Sequence, residues 1–142
     1  MDTNGQIFTR HRDDLVFGYR HSNISARYIL DATFGLTPDD PAQLMKRVKE
    51  IWMYKKNTQP LADHSAGCIF RNPAGQSAGA LIDQAGMKGA VRGAAEISSK
   101  HANFIVAHKG ATAADVRALI ELAREAVAKK FGLNLETEVV IW

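Results

Sequence analysis

Cysteine is nearly absent from this chain, since Cys68 is the one cysteine in 142 residues. A lone thiol cannot form an internal disulfide, which fits a reducing cytoplasm. The sequence has no Cys-x-x-Cys or His-x-x-x-His spacing, so it implies no metal site. No apolar run reaches the roughly 18 residues of a membrane span. The stretch from Met1 to Gly5 has no basic region followed by apolar residues, so we expect no secretion signal and a cytoplasmic location.

The composition is that of a globular domain, with 46% hydrophobic and 23% charged residues. The length predicts one domain. A formal charge of +3 and a pI near 9.1 are compatible with an anionic partner. The densest basic stretch, from Lys46 to Lys56, lies on a predicted helix whose apolar residues are explained by packing. We therefore expect a small anionic ligand, not nucleic acid.

The first half of the chain predicts two strands and one helix. Residues 15–19 and 27–36 are rich in β-branched and aromatic side chains, which favour strands. Pro41 suits the first position of a helix, and the helical pattern continues to about residue 54 or 55. The apolar stripe of this helix is expected to pack into a core: Leu44, Val48, Ile51 and Trp52.

The second half alternates short strands and helices, which predicts an α+β fold with a mixed sheet and helices packed mainly on one face. Thr112 and Asp115 form a variant of the capping box, and Gly132 is a suitable end for the helix they begin. The other predicted elements are a small helix at 77–85, strands at 95–98 and 103–107, and a final strand within 133–142.

Cys68 stands in the string SAGCIFRNP, which runs from Ser65 to Pro73. Glycine before the thiol permits a tight backbone turn and close approach to a ligand. Arg71 and Asn72 add a cationic donor and an amide close by. On chemistry alone, the alternative is that Cys68 is a small buried hydrophobic residue.

Four further strings accompany this one: FGYRHS at 17–22, AGALIDQAGMKG at 78–89, SKHANFIV at 99–106 and FGLNLETEV at 131–139. The set resembles the carboxy-terminal part of the UDP-N-acetylenolpyruvoylglucosamine reductase family, also called UDP-N-acetylmuramate dehydrogenase. The resemblance implies the α+β fold of that family's substrate-binding domain. It also implies a flavin oxidoreductase of bacterial peptidoglycan synthesis that uses FAD and NADPH. Its substrate is the enolpyruvyl ether of UDP-N-acetylglucosamine.

The resemblance implies three catalytic residues. Cys68 occupies the position of the general acid that protonates the enolate, a role for which a thiol pKa of about 8.5 is suitable. Arg20 polarises the substrate carboxylate, although a surface salt bridge is the ordinary role of such an arginine. Glu138 is the second residue that stabilises the enolate, and spacing alone does not separate it from Glu136. Val140 stands where the family commonly has arginine.

The substrate-binding residues implied by the resemblance are Asn72, Lys88, His101 and Arg71. A lysine is a suitable point charge for the diphosphate of a UDP group. His101 matches a polar position that contacts UDP, and a structural histidine is the alternative. His64 and His108 belong to no motif and stay unassigned.

The flavin-binding portion of the family, with its glycine-rich tract, has no counterpart in this sequence. Residues 1–22 resemble a lead-in and the last strand region of that portion, and residues 23–142 resemble the substrate-binding domain. We therefore expect no cofactor bound to this chain alone, and a separate flavin-binding domain as its partner. The alternatives are a stand-alone UDP-sugar-binding module, or a structural or interaction module that forms a homo-oligomer. No membrane partner is expected.

Overall fold

The computed structural model describes residues 1–141 and divides the chain into two compact units. Unit 1 is Met1–Asp40, and unit 2 begins at Pro41. The described residues form three α-helices and two antiparallel sheets, which confirms the predicted α+β class. The prediction of a mixed sheet is wrong, because all strand pairs among the described residues are antiparallel.

Unit 1 contains a short hairpin and has no buried residue among its 40 positions. Its strands are β1 (Phe17–Gly18) and β2 (His21–Ser22), which pair antiparallel. The side chain of Asn23 supports the hairpin from outside, because it accepts a hydrogen bond from the Val16 N–H and donates one to the Asp14 carbonyl, both at 2.9 Å.

The strand predicted at 27–36 is wrong, because this segment forms no ladder with any other described residue. The strand predicted at 15–19 is confirmed only at Phe17–Gly18. Strand propensity mostly reflects packing against neighbouring strands. Without a neighbour, the apolar side chains of 27–36 stay exposed: Tyr28, Ile29, Leu30, Phe34 and Leu36.

The main sheet lies in unit 2 and has four strands: β3 (Ser65–Cys68), β4 (Val91–Arg92), β5 (Ala95–Ile97) and β6 (Phe104–Ala107). Their order across the sheet is β3-β6-β5-β4. The predicted strands at 95–98 and 103–107 correspond to β5 and β6, whereas β3 and β4 were not predicted. Cys68 pairs with Phe104, and the register between β3 and β6 shifts between Ser65 and Cys68.

Two helices, α2 (Ala78–Gln84) and α3 (Ala113–Phe131), pack on this sheet or on each other. The predicted capping box of α3 is confirmed, since Thr112 Oγ1 accepts from the Asp115 N–H and Asp115 Oδ2 accepts from the Thr112 N–H. Gly132 ends the helix in the left-handed conformation at φ 67°. The core lies between α3 and the sheet: Ile69, Phe70, Ala78, Leu81, Ile82, Ala95, Ile97, Ala102, Ile105, Leu119, Ile120, Ala123, Val127 and Leu135.

Helix α1 (Pro41–Thr58) begins where predicted and ends three or four residues later than expected, but none of its residues is buried. Trp52 is 58% exposed, so the expectation that it packs in the core is wrong. The apolar stripe of α1 (Leu44, Val48, Ile51 and Trp52) has true helical spacing, yet no described residue covers it. Amphipathic spacing predicts a helix correctly without saying what covers its apolar face.

The final strand predicted within 133–142 is also wrong as a regular strand. The chain there makes one isolated bridge, between Thr137 and Phe70, among the described residues. Its partner Phe70 lies just beyond the end of β3. Trp142 lies outside the described residues.

Candidate functional site

Cys68 is the last residue of β3 and is half-buried. The residue before it, Gly67, has φ +83°, a conformation that side-chain-bearing residues rarely adopt. This glycine lies within the register shift between Ser65 and Cys68. A bulge of this kind bends the strand and redirects its side chains. The thiol is therefore held at the point where the regular ladder ends.

The three residues after Cys68 are bonded to the C-terminal segment. The N–H of Glu138 donates to the Ile69 carbonyl at 2.7 Å, and the N–H of Arg71 donates to the Glu136 carbonyl at 2.8 Å. Cys68 and Glu138 are thus attached to the same short stretch of backbone, although 70 residues separate them in the sequence. We call residues 69–71 the junction segment.

The structure distinguishes the two glutamates that spacing left equivalent. The Glu136 side chain is 78% exposed and forms an ion pair with Arg71 at 3.6 Å. Glu138 is half-buried beside the junction segment. Burial therefore distinguishes the two residues, and Glu138 remains the candidate that the family resemblance implies.

Asn72 lies next to α2. Its Oδ1 accepts a hydrogen bond from the Ala78 N–H at 2.9 Å, which fixes the loop that joins the junction segment to this helix. Beyond the end of α2, Lys88 is exposed and pairs with Asp83 at 3.1 Å. An exposed pair of this kind contributes only about 0–1 kcal/mol, so Lys88 can exchange Asp83 for another anion at little cost.

His101 is half-buried in a loop before β6. Its Nδ1 accepts from the Asn103 N–H at 3.2 Å, which leaves the ring proton on Nε2 when the ring is neutral. Its ring also meets Phe104 edge-to-face, with 4.9 Å between the centroids. Burial lowers the pKa of His101 below its usual 6.5, and the positive charge of Lys88 lowers it further. His101 is therefore a neutral N–H donor at pH 7, and the charge of Lys88 favours this neutral form.

Arg20 lies in unit 1, whereas the other six candidate residues lie in unit 2. It occupies the turn between β1 and β2 at φ 55°, which is uncommon for a residue other than glycine. Its guanidinium lies 5.9 Å from the centre of the Tyr19 ring. Within unit 2, Cys68 precedes the junction segment in the chain, and the backbone of Glu138 is bonded to that segment.

The two unassigned histidines have different surroundings. His108 pairs with Glu96 at 3.2 Å on the surface. His64 lines an open cavity of about 310 Å³ at the end of the sheet, with Ser65, Ala66, Ile69, Ile105, Ala107 and Val116. Among the described residues, no three side chains of His, Cys, Asp or Glu come together as a metal site would require.

Residues 59–142 match the family described as UDP-N-acetylenolpyruvoylglucosamine reductase, C-terminal domain. The match covers more than half of the chain. The chain belongs to this reductase family. All candidate residues except Arg20 lie inside the matched C-terminal domain.

Curated reductases of the same name are similar over almost the whole chain. The reductase of Alkalilimnicola ehrlichii is 42% identical over 142 residues, covering 99% of this chain and 48% of the relative. The reductase of Chlamydia felis is 46% identical over 143 residues, which cover 99% of this chain and 47% of the relative. The crystal structure of the Thermus caldophilus reductase superposes with a TM-score of 0.73 at 34% identity, covering 92% of this chain and 46% of that one. The chain thus spans about half the length of the reductases that it matches.

A flavin does not fit the cavity beside His64. A flavin dinucleotide carries a diphosphate, which needs cationic side chains or converging N–H groups. The cavity lining is mostly apolar and contains no lysine or arginine. Separately, none of the helices formed by residues 1–141 is long and apolar enough to cross a membrane.

Proposed function

We propose that this chain is the substrate-binding and proton-donating part of a reductase that converts UDP-N-acetylglucosamine enolpyruvate to UDP-N-acetylmuramate in peptidoglycan synthesis. The observation that carries the proposal is the attachment of Cys68 and Glu138 to one junction segment, in a chain of the reductase family. A proton donor and an acidic group at one place are what the second half of an alkene reduction requires.

The reaction adds a hydride to the terminal alkene carbon and a proton to the carbon beside the carboxylate. Cys68 donates that proton from its thiol, and the resulting thiolate is reprotonated from solvent. The negative charge that develops on the substrate carboxylate needs preorganised positive charge and hydrogen-bond donors. Arg20 supplies a bidentate guanidinium, and Glu138, when protonated or paired with a cation, supplies a further contact.

The UDP group is bound by unit 2. Lys88 contributes a point charge to the diphosphate after leaving Asp83, and His101 contributes the Nε2 proton that its Nδ1 hydrogen bond leaves available. Asn72 and Arg71 provide an amide and a guanidinium on the other side of α2. Neutral His101 suits this role because it donates a hydrogen bond without adding charge that must be desolvated.

A flavin-binding half is the partner that we propose for α1. The family match begins at residue 59, immediately after α1 ends at Thr58, so α1 falls outside the C-terminal domain. The apolar stripe of α1 is exposed, and the relatives are about twice as long as this chain. A half that holds FAD and uses NADPH would cover that stripe. Without it, we propose that the chain binds substrate but does not reduce it.

Calorimetric titration of the chain with UDP-N-acetylglucosamine enolpyruvate tests the proposal. Saturable binding is expected, and Lys88→Ala should raise the Kd about tenfold, or 1.4 kcal/mol. Asp83→Asn is the matched control, because it breaks the same ion pair and keeps the lysine charge. The control should bind at least as tightly as the unmodified chain. Absence of binding would contradict the proposal and favour an interaction module that uses the exposed face of α1.

A further inference from the structure

Asn103 is a buried amide to which the reaction chemistry above gives no role. It is 2% exposed, and only Ser98 is similarly buried among the polar residues that the structure describes. Buried polar side chains are costly unless their hydrogen bonds are made. Every buried side-chain nitrogen and oxygen in the described residues has a partner, so each polar atom of the Asn103 side chain makes at least one hydrogen bond.

Both polar atoms of this amide bind one residue, Phe70. The Phe70 N–H donates to Asn103 Oδ1 at 2.9 Å, and Asn103 Nδ2 donates to the Phe70 carbonyl at 2.8 Å. An asparagine side chain carries the same acceptor and donor as a peptide group. Asn103 therefore acts on Phe70 as a neighbouring β-strand would.

The position of this contact explains its importance. Strand pairing between β3 and β6 ends at Cys68 and Phe104, and the chain beyond Cys68 is no longer in the ladder. One backbone hydrogen bond, from the Ile69 N–H to the Asn103 carbonyl at 2.8 Å, continues the pairing by one residue. The amide of Asn103 then replaces the missing ladder at Phe70.

The opposite edge of the junction segment carries Glu138. Its N–H donates to the Ile69 carbonyl, and Thr137 bridges to Phe70. The junction segment is thus held on one side by Asn103 and bonded on the other side to the C-terminal segment. Loss of the amide would remove both hydrogen bonds that hold the Phe70 main chain on the β6 side, between Cys68 and the residues bonded to the C-terminal segment.

We propose that Asn103 is a positioning residue that sets the geometry of the proton donor Cys68 and of Glu138 through the main chain of Phe70. This inference rests on the proposed function, since it assumes that these two residues act on the substrate. A general acid must lie within hydrogen-bond reach of the atom it protonates, so a small movement of the junction segment would matter.

The substitution Asn103→Asp distinguishes a positioning role of Asn103 from a role in packing alone. Aspartate has nearly the same shape as asparagine. Its ionised carboxylate, however, places an oxygen against the Phe70 carbonyl oxygen, and because both atoms are acceptors this hydrogen bond is lost. When protonated, the carboxyl again offers one donor and one acceptor, as the amide does. The effect of this substitution should therefore disappear as pH falls, which mere loss of packing would not produce.

The single cysteine makes the test direct on the 142-residue chain. The rate of Cys68 modification by 4,4′-dithiodipyridine is measured across pH for the unmodified chain, Asn103→Asp and Ser98→Ala. We expect the Asn103→Asp rate to differ at least threefold from the unmodified rate near pH 8 and to approach it in acid. Ser98→Ala removes the other buried polar side chain, which bonds the N–H groups of Lys100 and His101, and should leave the Cys68 rate within twofold.

A rate ratio for Asn103→Asp that does not change with pH would overturn the inference, as would an equal effect of Ser98→Ala. If Asn103→Asp does not fold, amide exchange in the unmodified chain decides the matter. The Phe70 N–H should then be protected as strongly as that of Ile105 in β6, and rapid exchange would overturn the role of Asn103.

A second measurement, Cys68 modification in the presence of substrate, tests the proposed function separately from this inference. Saturating UDP-N-acetylglucosamine enolpyruvate should slow modification of Cys68 in the unmodified chain. Absence of protection, with the pH-dependent ratio still present, would contradict the substrate site and leave the control of the junction segment by Asn103 intact. If the ligand protects Cys68 but the rate ratio of Asn103→Asp does not change with pH, the result would support the substrate site and reject the positioning role of Asn103.

Discussion

Residues 1–58 and residues 59–141 contain similar apolar side chains but bury them to very different extents. The second region encloses a core in which Leu119, Val127 and Ile82 are completely buried. In the first region no residue is buried, and Trp52 and Phe34 are 58% and 78% exposed. The border coincides with the start of the C-terminal domain match at residue 59. The second region thus contains the buried core, whereas the apolar side chains of the first are exposed.

The largest expected effect on stability comes from comparing a leucine of the buried core with a leucine of the exposed helix α1. Leu119→Ala in α3 should lower the free energy of unfolding by about 2–5 kcal/mol, because it opens a cavity in a closed core. Leu44→Ala in α1, where the side chain is 43% exposed, should change it by no more than about 0.5 kcal/mol. Urea unfolding followed by circular dichroism measures both. Equal losses would show that α1 belongs to the cooperative core.

The next largest effect on stability comes from comparing a glycine in each of the two regions. Gly93 has φ +53°, and a Cβ there would clash with the Asp115 carboxylate, which belongs to the capping box of α3. Gly5 has φ +80° with nothing within 4 Å. Gly93→Ala should therefore destabilise by about 1–3 kcal/mol, against about 1 kcal/mol for Gly5→Ala from backbone strain alone. Thermal unfolding compares them, and a larger loss at Gly5 would contradict the contrast between the two regions.

A smaller effect depends on pH. Because burial and Lys88 lower the pKa of His101 in the folded state, the unfolded chain binds the proton more readily. The stability contributed by neutral His101 is therefore present above pH 6.5 and is lost as pH falls from 6.5 through the lowered folded-state pKa. His101→Asn should flatten the dependence of unfolding free energy on pH in that window. An unchanged slope would show that His101 is not buried as described.

The smallest effect on stability is expected at the exposed stripe of α1. Trp52→Gln should leave the free energy of unfolding within about 0.5 kcal/mol and reduce binding of a hydrophobic dye such as ANS. A loss comparable to that of Leu119→Ala would mean that Trp52 is covered after all.

Features encoded by neighbouring residues were predictable from the sequence. The ends of α3 follow from Thr112, Asp115 and Gly132, which act within one turn of the helix, and all were predicted correctly. The buried face of α3 has helical spacing, since it consists of Leu119, Ile120, Ala123 and Val127. Local signals of this kind do not depend on what the rest of the chain does.

Features that depend on distant partners were not predictable. Residues 27–36 have strand composition but no neighbouring strand, whereas β3 forms from small residues because β6 lies beside it. Asn103 lies within one of the family strings, yet nothing in its sequence neighbourhood indicates its contact. Its partner Phe70 lies 33 residues away in the sequence, so no local pattern could reveal the contact. The roles of Cys68, Arg20 and Glu138 remain predictions, although the structure brings Cys68 and Glu138 to one segment.

The most direct test of the account is an NMR titration of the isotopically labelled chain with UDP-N-acetylglucosamine enolpyruvate. We predict saturable shift changes at 68–72, Lys88, His101 and 136–138. Shift changes concentrated on α1, or none at saturating ligand, would contradict the assignment of substrate binding to the C-terminal domain.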